Sequence, residues 1–388
     1  MYLFKKKLIY LIITVFSSFH SYANEQYSDV GIVLENGEVK PVYSAGHAPV
    51  DVMADHMHKK GEWMTSYRFK HMSMEGNRIG TSKVTPEFIV SNISNRFSPP
   101  ATLRVVPTKM TMDMHMIGAM YAPSDWLTLM FMGMYMQKSM DHITFQGGSG
   151  TTRRGEFTTT SSGIGDTKIT GMFRLLKNNT NSLHVNAGIS LPTGSTDKRD
   201  TILTPGGARN NVVLPYSMQL GSGTYDFLPG ITYNGQRKKI HWGAQYLGTL
   251  RIGSHKGYSL GQIHEMTSWL TYQWTPPICT SVRLSYKNEG KIDGIDGRIS
   301  LPVQTADPDK YGGKTASLQF GMNLAGQTGL VRGHRLSLEA DIPIYQDLNI
   351  LRFFQNDYHL VYHNSKEEIP KFGPGWSWDD YNLSLIHI

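Results

Sequence analysis

With 388 residues and a single cysteine, Cys279, the chain is long enough for one large fold and cannot form an internal disulfide or a cysteine-based zinc site. The formal charge of +7 is spread along the chain rather than clustered, which argues against a nucleic-acid module. No stretch beyond the N-terminus approaches 18 apolar residues, so a helical membrane span is excluded, whereas 39 glycines and 20 tyrosines suit strands, turns and aromatic girdles.

Residues 1–23 read as a secretory signal. Lys5, Lys6 and Lys7 form the basic start, Leu8–Phe16 the apolar core, and Ser21-Tyr22-Ala23 a small-x-small cleavage site. Residues 24–60 show no clear periodicity and are expected to be a periplasmic or lumen-inserted lead segment. From residue 61 to 349 a strand pattern takes over. The first predicted strand, Glu62–Met74, sets Trp63, Tyr67 and Phe69 opposite Ser66, Arg68 and Lys70. A long loop over Gly76–Thr108 precedes Thr111–Tyr121, where Met110, Met112, Met114, Met116 and Met120 share one parity and Thr111, Asp113, His115 and Tyr121 the other. Those methionines are expected to touch lipid. The turn Ala122–Asp125 leads to Trp126–Gln137, and Lys138–Gly163 is expected to be a polar loop.

The clearest unit is the hairpin Ile164–Leu191. In its second arm Leu183, Val185, Ala187, Ile189 and Leu191 oppose His184, Asn186, Gly188 and Ser190. Successive side chains of a strand point to opposite faces, so one face is apolar throughout and the other polar. After the loop Pro192–Gly223, predicted strands follow at Thr224–Asn234, Lys239–Arg251, His264–Trp274, Thr280–Glu289, Thr315–Leu324 and His334–Pro343. Their connections run long, short, long, short. Outer-membrane barrels combine period-two strands with short periplasmic turns, long external loops and an even strand number. The expected fold is therefore all-β: a transmembrane antiparallel up-and-down β-barrel of about 12 strands, embedded in outer-membrane lipid. Eleven strands are clear. Past Asn349 the alternation dissolves, and residues 350–388 read as an aberrant C-terminal tail, a possible frameshift or chimeric end.

Ser162-Gly163-Ile164-Gly165-Asp166-Thr167-Lys168, Phe173-Arg174-Leu175 and Leu191-Pro192-Thr193-Gly194-Ser195 together resemble a bacterial outer-membrane family named for the meta-pathway of phenol degradation and often labelled a transporter. The resemblance covers most of Asp51–Asn349. It implies a barrel and the passage of small molecules.

Three chemistries are open to these residues. The inward polar set forms a candidate pore lining: Arg68, Lys70, Asp113, His115, Asp166, Lys168, Arg174, His184, Asp226, His241, Arg251, Glu265, Arg283, Lys287, Arg335, Glu339 and Asp341. Such charges set selectivity in a polar pore or simply neutralise one another. In the lead segment, His47, His56, Met57 and His58 offer imidazole and thioether ligands suited to copper, provided the segment is a turn or loop. No G-x-S-x-G, H-E-x-x-H or P-loop is present, so an enzyme is not expected; an interstrand pair drawn from His184, Ser190 and His241 is the one arrangement to look for. The functional expectation is passive or weakly selective passage of small solutes, apolar or aromatic ones included, with no cofactor. Metal handling in the envelope and a structural barrel with an occluded lumen are the alternatives.

Overall fold

Among the described residues the strands are β1 (Trp63–Gly80), β2 (Ser82–Val84), β3 (Val105–Ser124), β4 (Leu127–Phe145), β5 (Arg153–Ile164), β6 (Thr167–Lys177), β7 (Asn181–Leu191), β8 (Arg199–Leu203), β9 (Arg209–Val213), β10 (Tyr225–Arg237), β11 (Ile240–Ile252), β12 (Tyr258–Ser259), β13 (Ile263–Thr275), β14 (Ile278–Glu289), β15 (Asp293–Gly294), β16 (Gly313–Ala325) and β17 (His334–Lys366). A short helix, α1 (Pro86–Asn92), is capped by the Thr85 side chain, which accepts from the Phe88 amide. The computed structural model describes residues 41–366. The signal sequence expected at 1–23, residues 24–40 of the lead segment and residues 367–388 lie outside the described residues. Cα proximity divides the chain into two units, 1–41 with 327–332 and 42–326 with 333–388. The first is described only at Pro41 and residues 327–332, which contain the 3-10 turn Gly329–Val331. The second holds the barrel.

Eleven strands pair in the order β17-β16-β14-β13-β11-β10-β7-β6-β4-β3-β1, and β17 pairs with β1 to close the ring. Every pairing around it is antiparallel. An antiparallel ring with an odd number of members cannot close, because strand direction must alternate. The registers of β17 resolve this: it lies against β16 from Arg335 to Leu348 and against β1 from Leu348 to Lys366. It therefore supplies two staves that meet at Leu348, and the ring has the twelve expected. The stretch past residue 349 loses its side-chain alternation, yet a strand ladder is made by backbone groups, and the backbone here pairs as far as Lys366. One further stave is shared, since β4 pairs with β6 over Leu127–Met132 and with β5 over Tyr135–Phe145.

The connections alternate as expected, but the long ones carry structure. β1 reaches Gly80, β4 reaches Phe145 and β5 occupies much of the predicted Lys138–Gly163 loop. Loop residues pack around Val105, Phe157, Ile202, Val213, Tyr216, Tyr258, Ile299 and Val303, giving the long-loop end its own apolar core. β5 turns Phe157 into this core, and β4 ends in Ile143 and Phe145, which are buried with Ile89, Val90 and Leu103, so apolar burial supports both strands above the ring. At the opposite end Trp63 stacks on Tyr121 with ring centroids 4.4 Å apart, and Trp126 and Trp274 are exposed. Aromatic side chains at one rim suit a membrane–water interface. Between the rims Leu129, Phe131, Ile169, Ile189, Phe227, Ile231, Leu270, Val282, Leu284, Phe320, Leu338 and Ile342 all face outward.

Candidate functional site in the lumen

The inward face does two different things. From β6 to the first arm of β17, up to Leu348, it is mostly polar, Met172 and Trp269 apart, and much of it grips the lead segment. Residues 42–60 run through the short-turn half of the ring, held by side chains of nine strands. Arg68 donates to the Val50 carbonyl (3.1 Å), Thr128 accepts from the His58 amide (3.1 Å) and Arg174 donates to the His58 carbonyl (3.2 Å). His184 donates to the Ala54 carbonyl (2.9 Å), Asn234 to that of Asp55 (2.7 Å) and Gln245 to that of Met53 (2.8 Å). Gln273 accepts from the Ala45 amide (2.8 Å), Arg335 donates to the Tyr43 carbonyl (2.9 Å), and Arg283 reaches the Asp51 carboxylate (3.3 Å). Apart from the 3-10 turn Ser44–Gly46 the segment has no regular structure of its own, so its backbone groups need partners, and the inward polar side chains supply them.

Most of the predicted pore-lining residues do point inward, but as anchors or pairs. Arg283 also binds Glu339 at 2.5 Å, with both side chains essentially inaccessible, and Lys70 lies 3.6 Å from Asp51. Arg251 pairs with Asp226, Lys287 with Glu289 (3.2 Å), and Asp341 accepts from Gln319 (3.0 Å). Lys168 and Glu265 are half-buried on the same face, and His241 lines the cavity beside the segment. Asp166 is a loop anchor. Its two oxygens accept the amides of Gly194 (2.9 Å) and Ser222 (2.7 Å), bringing the Gly-Asp-Thr and Pro-Thr-Gly-Ser motifs together.

Two predicted lining residues face the other way. Asp113 and His115 share parity with Ile117, which is 65 % exposed, and lie outside the ring. Asp113 accepts from His71 (2.5 Å), and His115 is hydrogen-bonded to the Tyr67 hydroxyl (2.7 Å). The Asp113 row stands eight residues from the Trp63–Tyr121 row, roughly 20 Å along a strand tilted by about 40°, which places it near the far edge of the apolar belt. Consequently the methionines face the lumen, not lipid. Ile117, Ala119 and Tyr121 on the same parity as Asp113 carried that information in the sequence.

The methionine face is continuous. Reading up β1, β3 and β4 in register, the inward rows are Met64–Met120–Met130, Ser66–Gly118–Met132, Arg68–Met116–Met134, Lys70–Met114–Met136, Met72–Met112–Lys138 and Met74–Met110–Met140. Every row contains a thioether, and no Leu, Ile, Val or Phe appears in any. Its lower end packs against Ala54, Met57 and Met172, and its upper end against Leu214 and Met218. Lys138 donates to the carbonyls of Ser217 (2.9 Å) and Gln219 (2.5 Å), fastening that upper loop.

Beside the lower end lies a cavity of about 340 Å³ lined by His47, Asp55, His56, Met57, His58, His184, His241 and Trp269. The ligand-capable atoms of His47, Asp55 and His56 fall within 4.8 Å of one another, and the rings of His56 and His58 are 4.9 Å apart. Asp55, rather than His58, completes the group of three. Residues 55–59 are in neither helix nor strand, so alternation does not separate His56 from His58. Burial alone would raise the Asp55 carboxyl, but His56 beside it and the Ala48 amide hold it well below the usual carboxylate range. Burial pushes the His58 imidazole below its ordinary value. By contrast, His184 and Ser190 sit six residues apart on β7, roughly 20 Å, so they form no catalytic pair.

No protein-family model matches the sequence, and no curated protein does. Among solved structures, the chain is similar to an outer membrane channel from Pseudomonas putida F1, with 13 % identity, a TM-score of 0.53, and coverage of 82 % of this chain and 100 % of that one. A FadL homologue of Pseudomonas aeruginosa aligns at 9 % identity and a TM-score of 0.40, over 84 % of this chain and 97 % of the other. The monoaromatic hydrocarbon channel TodX, as a deletion mutant, aligns at 9 % identity and 0.41, over 79 % and 90 %. The first likeness assigns the barrel fold.

Proposed function

We propose that the protein is an outer-membrane channel for small solutes, apolar or aromatic ones among them, closed at rest by residues 42–60. A closed ring leaves no unpaired strand edge, which is what a sheet must achieve to stand in lipid, and its outward face is apolar between the rims. The signal-like start and the family that the motifs resemble support export to the Gram-negative outer membrane. The observation that carries the gating is the way the segment is held. Most of its ties to the wall are hydrogen bonds, together with the ion pairs of Asp51 to Lys70 and Arg283, and its apolar contact is confined to one small cluster around Ala54 and Met57, so water can replace most of them when the segment moves. The methionine face would then offer an apolar, adaptable surface, favourable to aromatic rings, beside a polar wall.

Planar-bilayer recording of the full-length protein and of a variant lacking residues 42–58 tests this reading. Stepwise conductance that is rare in the intact protein and several-fold larger or more frequent in the variant is expected. Folded barrels that stay silent in both forms would make the protein a structural barrel instead.

A further inference from the structure

The geometry points to a binding site for a soft monovalent metal ion, copper(I), built from His47, His56 and His58 of the lead segment and continued by the methionine face of β1, β3 and β4. Three observations carry it. First, the inward rows use thioether at every apolar position across three adjacent strands; if apolarity were the whole requirement, leucine or isoleucine would serve. Thioether sulfur is a weak hydrogen-bond acceptor but a good ligand for soft ions such as copper(I). Second, sulfurs within a row are set by cross-strand spacing of about 5 Å between Cβ atoms, and successive rows by roughly 6.6 Å, so flexible methionine side chains from one row or two neighbouring rows converge on a shared ion.

Third, the lower end of that face meets preorganised imidazoles. The Asp55 carboxylate accepts from Nδ1 of His56 at 2.7 Å, the arrangement in which a carboxylate fixes a ligating histidine and leaves Nε2 to the metal. Nε2 of His56 and Nε2 of His58 are both shielded from solvent and have no hydrogen-bond partner among the described residues. Buried polar atoms are almost always paired, so two bare imidazole nitrogens beside one cavity mark a place for a ligand. Met57, between them in sequence, packs against the buried cluster of Ala54, Met64, Met120 and Met172, which joins the imidazole group to the first thioether row. The site needs no change of oxidation state and does not depend on whether the barrel conducts.

The test uses folded full-length protein in detergent, titrated with copper(I) against a chromophoric copper(I) chelator, with zinc(II) in a parallel arm. The intact protein is expected to withdraw copper(I) from the chelator, and X-ray absorption of the loaded protein to show sulfur together with nitrogen scatterers. H47A/H56A should weaken the tightest site at least tenfold. Replacing Met114, Met116, Met134 and Met136 by leucine keeps volume and apolarity, so the barrel should fold while its copper(I) capacity falls. Met266→Leu, on the outer face, should change nothing. Leucine variants that bind as much copper(I) as the intact protein would overturn the thioether part. Equal affinity for zinc(II), or no copper(I) uptake by a folded intact barrel, would overturn the site altogether.

Discussion

Arg283, in the wall of the barrel on β14, donates to the carboxylate of Asp51, 232 residues away in sequence, while its guanidinium is also bound to Glu339 at 2.5 Å. One cation thus serves a permanent wall pair and a removable segment, which separates two effects by mutation. Asp51→Asn should leave Arg283 and Glu339 paired, leave the barrel folded and raise channel openings. Arg283→Ala removes the guanidinium bound to Glu339, an inaccessible carboxylate, and should cost about 3–5 kcal/mol of stability. Urea unfolding of both variants alongside bilayer recording checks the split; similar stability losses would mean that Asp51 belongs to the wall.

The orientation of β3 has its own test. Ile117 is outward and Met116 inward. Ile117→Lys sets a charge against lipid and should cost about 2–4 kcal/mol in folding into vesicles. Met116→Lys places the same charge in the lumen and should cost well under half of that. The reverse order would turn the strand over.

Asp166 receives the amides of Gly194 and Ser222, so Asp166→Ala should leave two buried donors unpaired at about 1–3 kcal/mol each. Gly194→Ala should loosen the same junction by another route. A Cβ there would lie 2.6 Å from the Gly221 Cα and from the Leu220 carbonyl oxygen, both backbone atoms that cannot swing aside. Hydrogen exchange should show residues 193–223 losing protection in both variants, with the strands unchanged.

The long-loop end should respond to acid. Lys256 (2.5 Å) and Arg298 both bind Asp197, whose carboxyl they lower to about 2, and Arg298 likewise holds Asp296 (2.6 Å) down. A carboxyl depressed in the folded state stabilises it above the unfolded value near 4, and that contribution is lost as pH falls from about 4 to about 2. Asp197 is more than half exposed, so the loss is small and local. Proteolysis or hydrogen exchange at 195–200, 253–257 and 295–299 should quicken over that window, and Asp197→Asn should show the faster rate already at neutral pH.

Much of this protein was legible in its residues. Apolar and polar side chains alternating through Ile164–Leu191 and Thr224–Arg251 determine the barrel, because a strand can satisfy lipid on one face only if the other faces inward. Alternating short and long connections determine its up-and-down order. The sequence could not decide what occupied the inside. Arg283, Gln273 and His184 look the same whether they line water or hold a segment, since a polar side chain offers the same groups to either; only closure of the ring brought residues 42–60 among them. Parity alone also left β3 open. Its two faces were both mixed, methionine against a set holding Thr, Asp and His as well as Ile117 and Tyr121, and hydrophobicity read one strand at a time favoured the methionines for lipid. Pairing with β1 and β4 fixed the direction, because a strand in a ladder must turn the same way as its neighbours, and Trp63, Tyr67, Leu129 and Phe131 already faced out.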